Sequence, residues 1–268
     1  MRKRNEIAKL GDDNVAVEGP LLSSALARGL AILRAYQPGD NHLGNAELAD
    51  RVGLPKATVS RLTQTLAEIG MLTYLESIGK YELAPAVLSL GYSVLSRGEM
   101  HNLARPYMTE LAKESGLGVG LGIRDGIDMT IIEYARGKYS STHTAISVGR
   151  RLPAGATSMG WCAVHALPAS EQSQFFSELR TAFPDRSEAM QARMLKAFDQ
   201  IHQHGFCTSV GEFSPAYNSV GAPLLHPNGV DVFAFHVAGP AYFLPVEDME
   251  QRWGPKLVEI AARLRGEI

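Results

Sequence analysis

The segment LPKATVSRLTQTLAEIG, residues 54–70, holds the densest set of side chains suited to gripping a polyanion. Lys56, Thr58, Ser60 and Arg61 crowd its start, and Gln64 and Thr65 follow one turn later. Val59, Leu62, Leu66 and Ile69 are spaced three, four and three apart, which makes one stripe of a 3.6-residue helix that must pack inward. The polar set therefore lies outward, beside the positive end of a helix, where cations can hold phosphates while hydroxyls and amides reach base edges. A solvated mixed-charge surface uses the same residue types, so the neighbouring elements must decide between the two.

Other constellations point less far. Cys162 and His165 in GWCAVHAL share a helix face, a thiol beside a base, but no orienting third group or oxyanion site accompanies them, and the pair reads as buried packing. His202, His204 and Cys207 in HQHGFC lack HxxxH or CxxC spacing, and histidines two apart on a helix diverge, so no metal site is expected. GLGVGLGIRDG alternates Gly116, Gly118, Gly120 and Gly122 with Leu117, Val119, Leu121 and Ile123. No helix follows to hold a pyrophosphate, so the run reads as a strand with one bare face that invites close packing, and no cofactor is expected. His236 shares a strand face with Val232, Ala234 and Ala238, a place for either a core histidine or a ligand contact.

The elements that must position these residues follow from punctuation and period. With 268 residues, two domains of unequal size are expected. Residues 1–20 have no apolar period and read as a tail; SSALARGLAILRAYQPGD then places Leu26, Leu30 and Leu33 at helical spacing and stops at Pro38-Gly39. NAELADRVG gives a short second helix with Asn45 as N-cap, and Pro55 suits the first position of the third. Two short helices around a glycine turn, followed by short extended runs MLTYL and KYEL, match a winged helix-turn-helix over 21–84. PAVLSLGYSVLSRG reads as a linker helix over 85–98. The remainder, 99–268, mixes strands (GLGVGLGIRDG, IDMTIIEYARG, STHTAISVG), helices (SMGWCAVHAL, RSEAMQARMLKAFDQIHQHG, VEDMEQRWGPKLVEIAARLR) and a hairpin turning at Pro227-Asn228-Gly229. That pattern predicts an α+β domain with a mostly antiparallel sheet flanked by helices.

Charge excludes little: residues 1–98 carry 11 Lys+Arg against 10 Asp+Glu, and the rest carry 15 against 18. Any nucleic-acid footprint must rest on where the cations sit. No apolar run approaches a membrane span, the basic opening lacks the stretch of a secretory signal, and two cysteines are too few for a disulfide framework, so a cytoplasmic location is expected.

ALARGLAIL, AELADRVGLPKATVSRLTQTLAEIGML, GKYELAP, GRRLPAGATSMGWCA and a closing strand ending VAGP resemble, in order, the IclR (isocitrate lyase regulator) family of bacterial transcription factors, over roughly residues 22–266. The resemblance implies a winged helix-turn-helix domain, a linker helix and a GAF-like effector domain, assembled as a dimer or a dimer of dimers on double-stranded operator DNA with an inverted repeat. It makes Lys56, Thr58, Ser60, Arg61 and Gln64 the DNA-contact candidates. By alignment of GRRLPAGATSMG, GFCTSVGE and FHVAGP with family counterparts, it places the effector pocket around Leu152, Ser158, Met159, Ser209, Ser219 and His236. Ser158 and Met159 would open a helix whose free N–H groups suit a carboxylate, and a protonated His236 would add a charge-assisted contact, which favours a small organic or aromatic acid. The competing expectation is a metabolite-binding enzyme with an appended helical domain; no catalytic constellation supports it.

Overall fold

The computed structural model describes residues 24–37, 39–95, 100–140, 146–225 and 232–267. The tail and the Pro227-Asn228-Gly229 turn lie outside the described residues. The chain divides into two compact units between residues 98 and 99.

The first unit comprises α1 (Ser24–Arg34), α2 (Asn45–Val52), α3 (Lys56–Glu68), the hairpin β1 (Leu72–Leu75) and β2 (Lys80–Leu83), and α4 (Pro85–Leu95). Ile32, Leu43, Leu48, Val59, Leu66 and Leu72 form its core. Gly53 at φ 65° makes the turn from α2 to α3 that a side chain would strain. Leu43 bridges to Tyr81 of β2, and the Tyr36 hydroxyl donates to the Tyr81 carbonyl at 3.0 Å, tying the hairpin to the helices.

Four local expectations need correction. On α1 the buried positions are Gly29 and Ile32, while Leu26 and Leu30 are exposed. Asn45 is the first residue of α2 rather than its cap: the Gly44 N–H donates to the Glu47 carboxylate at 2.8 Å, and the Asn45 side chain accepts from the Thr63 hydroxyl at 2.9 Å. Pro55 sits just before α3 and offers its carbonyl to the N–H groups of Thr58 and Val59. Ile69 is 61% exposed, because α3 ends at Glu68 and the chain turns away at Gly70; Thr63 is wholly buried, its hydroxyl satisfied by Asn45 and the α3 backbone.

The second unit runs α5 (Met100–Ser115), β3 (Gly118–Asp125), β4 (Asp128–Ala135), β5 (Arg151–Pro153), α6 (Ser158–His165), α7 (Ala169–Ala182), α8 (Ser187–His204), β6 (Cys207–Val210), β7 (Tyr217–Leu225), β8 (Val232–Pro240), α9 (Val246–Asp248) and, after a wide turn over Met249–Trp253, α10 (Gly254–Glu267). The six strands form one antiparallel sheet in the order β5-β4-β3-β8-β7-β6. Leu117, Val119, Leu121, Val220, Phe235 and Val237 form a core with residues of α5 and α10. The other face packs under α6, α7 and α8. Residues 146–149 of the expected strand STHTAISVG lead into a turn, with Gly149 at φ 83°, and β5 starts at Arg151; 141–145 lie outside the described residues. Helix α7 and strand β6 had no signal in the sequence pattern, since neither shows a clean period. No described helix is long and apolar enough to cross a membrane.

The bare face of β3 is used as its composition demands. A Cβ on Gly118, Gly120 or Gly122 would fall 2.0 Å from Tyr134 Oη, 2.6 Å from His236 Nε2 or 2.4 Å from Met159 Sδ. Helix α6 is held as closely: a Cβ on Gly160 would lie 2.2 Å from the Ala154 carbonyl oxygen, which is backbone and cannot swing aside. Gly160→Ala should therefore cost about 1–3 kcal/mol or more through overpacking and lower the melting temperature by several degrees. Gly91→Ala, in α4 with nothing near the new methyl, should leave it unchanged or raised. Thermal melts of the two variants beside the parent check both.

Candidate functional sites

On α3, burial of Val59, Thr63 and Leu66 turns the opposite side outward. Lys56, Ser60, Arg61, Gln64 and Thr65 are exposed and Thr58 is half-buried. Among the described residues neither Lys56 nor Arg61 enters an ion pair, whereas the Gln64 amide donates to Glu68 at 3.3 Å and the Thr65 hydroxyl to the Arg61 carbonyl at 3.0 Å. Two unneutralised cations thus stand on the first turns of a helix, in the field of its unpaired N–H groups. The Thr63–Asn45 bond fixes this face relative to α2, and Lys80 of the hairpin reaches Glu47 of α2 at 2.9 Å.

The second site is the glycine face of the sheet and the helix that covers it. Register places Gly120, His236, Gly221 and Cys207 in one row across β3, β8, β7 and β6, and Gly118, Ala238, Ser219 and Ser209 in the next. Paired residues in an antiparallel sheet point to one face, so His236, Ser219 and Ser209 lie on the side of the bare glycines. Helix α6 starts over this face. The Ser158 hydroxyl meets that of Ser219 at 2.9 Å, and a Cβ on Gly221 would sit 2.9 Å from the Ser158 carbonyl carbon, so helix and sheet approach backbone to backbone. Thr157 caps α6 by accepting from the Gly160 N–H at 3.2 Å.

Five of the six expected pocket residues, Ser158, Met159, Ser209, Ser219 and His236, are therefore brought together. Leu152 is not: it shares the face but lies on β5, at the opposite edge of the sheet from Ser209 on β6. Five strand spacings span on the order of 24 Å, so no small acid touches both. Tyr134, whose ring lies over Gly118, is part of the site and had no signal except the glycines themselves, which require bulky partners above them. The site is closely packed by Met159, His236 and Tyr134. A cleft of about 580 Å³ lies elsewhere, lined by Gln200, His204, Phe206, Thr208, Glu250 and Val258, and includes none of the expected residues.

His236 is 2% exposed, and neither ring nitrogen has a hydrogen-bond partner. Burial pulls its pKa down to about 4, so the imidazole is neutral here and not the cation expected from sequence. The Arg150 Nε and the Tyr217 hydroxyl are also buried without partners. Unmet polar atoms at this depth are uncommon, and each calls for an explanation such as a ligand. Cys162 does not engage His165. Its sulfur lies 3.6 Å from that of Cys207, burial pushes its thiol well above the usual range, and the His165 ring instead meets Phe198 edge-on. Among the described residues no group of three His, Cys, Asp or Glu could hold a metal ion.

Comparison with known proteins settles the class. A family model described as the IclR helix-turn-helix domain matches residues 25–76, and one described as the C-terminal domain of the bacterial transcriptional regulator IclR matches residues 92–265. The chain belongs to the IclR family. It is 29% identical over 257 residues to the HTH-type transcriptional regulator TsaQ1/TsaQ2 of Comamonas testosteroni, covering 96% of this chain and 92% of that one. The crystal structure of an IclR family transcriptional regulator from Brucella abortus superposes with a TM-score of 0.80 at 33% identity, covering 96% of each chain. An IclR homologue from Microbacterium hydrocarbonoxydans, complexed with 4-hydroxybenzoate, shares the fold at 18% identity, with a TM-score of 0.70 over 91% of this chain and 98% of that one. The protein is thus a helix-turn-helix transcriptional regulator with an effector domain, and the family consists of regulators rather than enzymes.

The state of His236 has a consequence for the stability of this IclR chain. Its folded pKa of about 4 lies below the ordinary value of 6.5, so between those values the unfolded chain binds a proton that the folded one excludes. Stability should fall as pH drops from about 6.5 toward 4, by on the order of 3 kcal/mol from this group. Urea melts at pH 7.5, 6.0 and 5.0 should show about 2 kcal/mol of that loss by pH 5.0, with a smaller slope in His236→Leu.

Proposed function

We propose that this regulator binds an inverted-repeat operator as a dimer or dimer of dimers in the cytoplasm and controls a catabolic or metabolic operon in response to a small organic or aromatic acid. The outward face of α3 supports the DNA half: Lys56 and Arg61 bind phosphates, while Thr58, Ser60 and Gln64 reach base edges. The dimer is supported by apolar surface on the first unit, where Leu26 and Leu30 of α1 and Leu88, Leu90 and Tyr92 of α4 are exposed, Leu88 to 76%. A two-fold dimer presents two recognition helices, which is why the operator is an inverted repeat.

The observation that carries the effector half is His236, buried with both nitrogens unpaired beside the opening of α6. A ligand between α6 and the glycine face supplies the missing partners, with Ser158 and Ser219 hydroxyls as further hydrogen-bonding groups and Met159 against its carbon skeleton. That the same fold holds 4-hydroxybenzoate in a distant homologue supports an acid of that size. Effector and DNA are coupled reciprocally: an acid that releases the operator is itself bound more weakly in the presence of operator, by the same factor.

Arg61→Ala should weaken operator binding and lower the salt slope by about one, since each phosphate contact releases about one counterion. Thr58→Ala should instead change sequence preference. Gel-shift titrations at several salt concentrations, with footprinting of the native promoter, check these outcomes; wild-type affinity and slope in Arg61→Ala would remove this face from the interface. His236→Leu should weaken effector binding at least ten-fold by calorimetry while leaving operator affinity without effector within two-fold, because the substitution lies in the other unit.

A further inference from the structure

An acid bound on the glycine face needs a countercharge that is not already taken by a protein carboxylate. On that face β3 carries Arg124, one alternation beyond Gly122, but it already pairs with Glu171 at 3.5 Å, and the imidazole of His236 is neutral. A carboxylate left unpaired in such surroundings is strongly disfavoured.

The pairing of β4 with β5 continues one residue past the strand. Leu152 stands opposite Met129 and Arg151 opposite Thr130; the next N–H, that of Ile131, donates to the Arg150 carbonyl at 2.9 Å, and the Gly149 N–H donates to the Ile131 carbonyl at 2.8 Å. Successive residues alternate between faces. Arg151 takes the side of Asp128 and Asp125, meeting them at 2.7 and 3.6 Å. Arg150 takes the side of Leu152, Ile131 and Gly122. There its Nε is buried without a partner, and among the described residues no acid pairs with its guanidinium.

We propose that Arg150 is the anion-binding residue of the effector site, and that the effector is a monoanionic acid whose second, uncharged polar group, a hydroxyl or carbonyl, is hydrogen-bonded by His236. This rests on the acid-effector reading above and adds its orientation. The rows of Arg150 and His236 are adjacent, and the two residues lie three strand spacings apart, about 14 Å across the sheet. Gly122 and Gly120 lie between them, and the space above those glycines is filled by the sulfur and methyl of Met159, an unbranched side chain that can turn aside. The carbon skeleton of the ligand takes that space, the carboxylate lies in the guanidinium fork, and the neutral group meets the imidazole.

Calorimetry on the full-length protein with benzoate, 4-hydroxybenzoate, 3-hydroxybutyrate and 2-oxobutyrate, each beside its neutral amide, tests this. Wild type should prefer at least one acid over its amide ten-fold or more. Arg150→Gln should lose that acid ten-fold or more while binding the amide within two-fold of wild type. Arg150→Lys, which keeps the charge and serves if the glutamine variant folds poorly, should retain part of the preference. His236→Gln should weaken acid and amide alike. An undiminished preference in Arg150→Gln, or in Arg150→Lys if only that folds, would overturn the role of Arg150 and leave the effector reading standing. A wild-type protein that binds none of the acids would overturn both.

Discussion

The effector unit depends on how closely α6 can approach the sheet. Backbone meets backbone at Gly160 against Ala154 and at Gly221 against Ser158, and a side chain at either glycine would push the helix away. That proximity brings the Ser158 hydroxyl to Ser219 and puts Met159 onto the glycine stripe of β3. It also seals His236 beneath the helix, which is why the imidazole is neutral and unpartnered. One packing constraint thus sets both the shape of the site and its electrostatics. A ligand that enters this space must displace the Met159 side chain that α6 lays over the glycines.

The DNA-binding unit solves a different problem, that of keeping a polar face rigid. A helix of 13 residues is marginal by itself, and α3 is stabilised by its buried side. Thr63 does there what a leucine would not: fully buried, it gives its hydroxyl to Asn45 and so sets the angle between α2 and α3 as well as filling space. The salt bridge from Lys80 to Glu47 is exposed and contributes little energy; its value is in placing the hairpin beside the helices.

Much of this was legible in the sequence because it is local. The alternation in GLGVGLGIRDG requires a strand with one bare face whatever that face meets, and the strand is β3. The three-four-three apolar spacing after Pro55 requires a helix with one buried side, which leaves Lys56 and Arg61 outside whichever tertiary partner buries Val59. Where local signals competed, they misled by small amounts. Asn45 is a good cap residue, but Glu47 could reach back to Gly44, and the asparagine was drawn to Thr63, 18 positions away.

What the sequence by itself determined is the set of elements with a strong period and the residue types on their faces, because the periods of 3.6 and 2 are properties of the backbone and need no partner. The tertiary structure alone decided which faces meet. Strand order joined Gly120, His236 and Gly221 from three separate segments into one row, and put Leu152 and Ser209 on opposite edges although both belong to segments that resemble the family's pocket. The charge of His236 was decided there too. An imidazole in isolation titrates near neutrality, and only the helix and sheet that exclude water from it keep it neutral. Arg150 and Arg151 are identical and adjacent in sequence; the pairing of β5 with β4 sends one to Asp128 and leaves the other on the side of the glycine face.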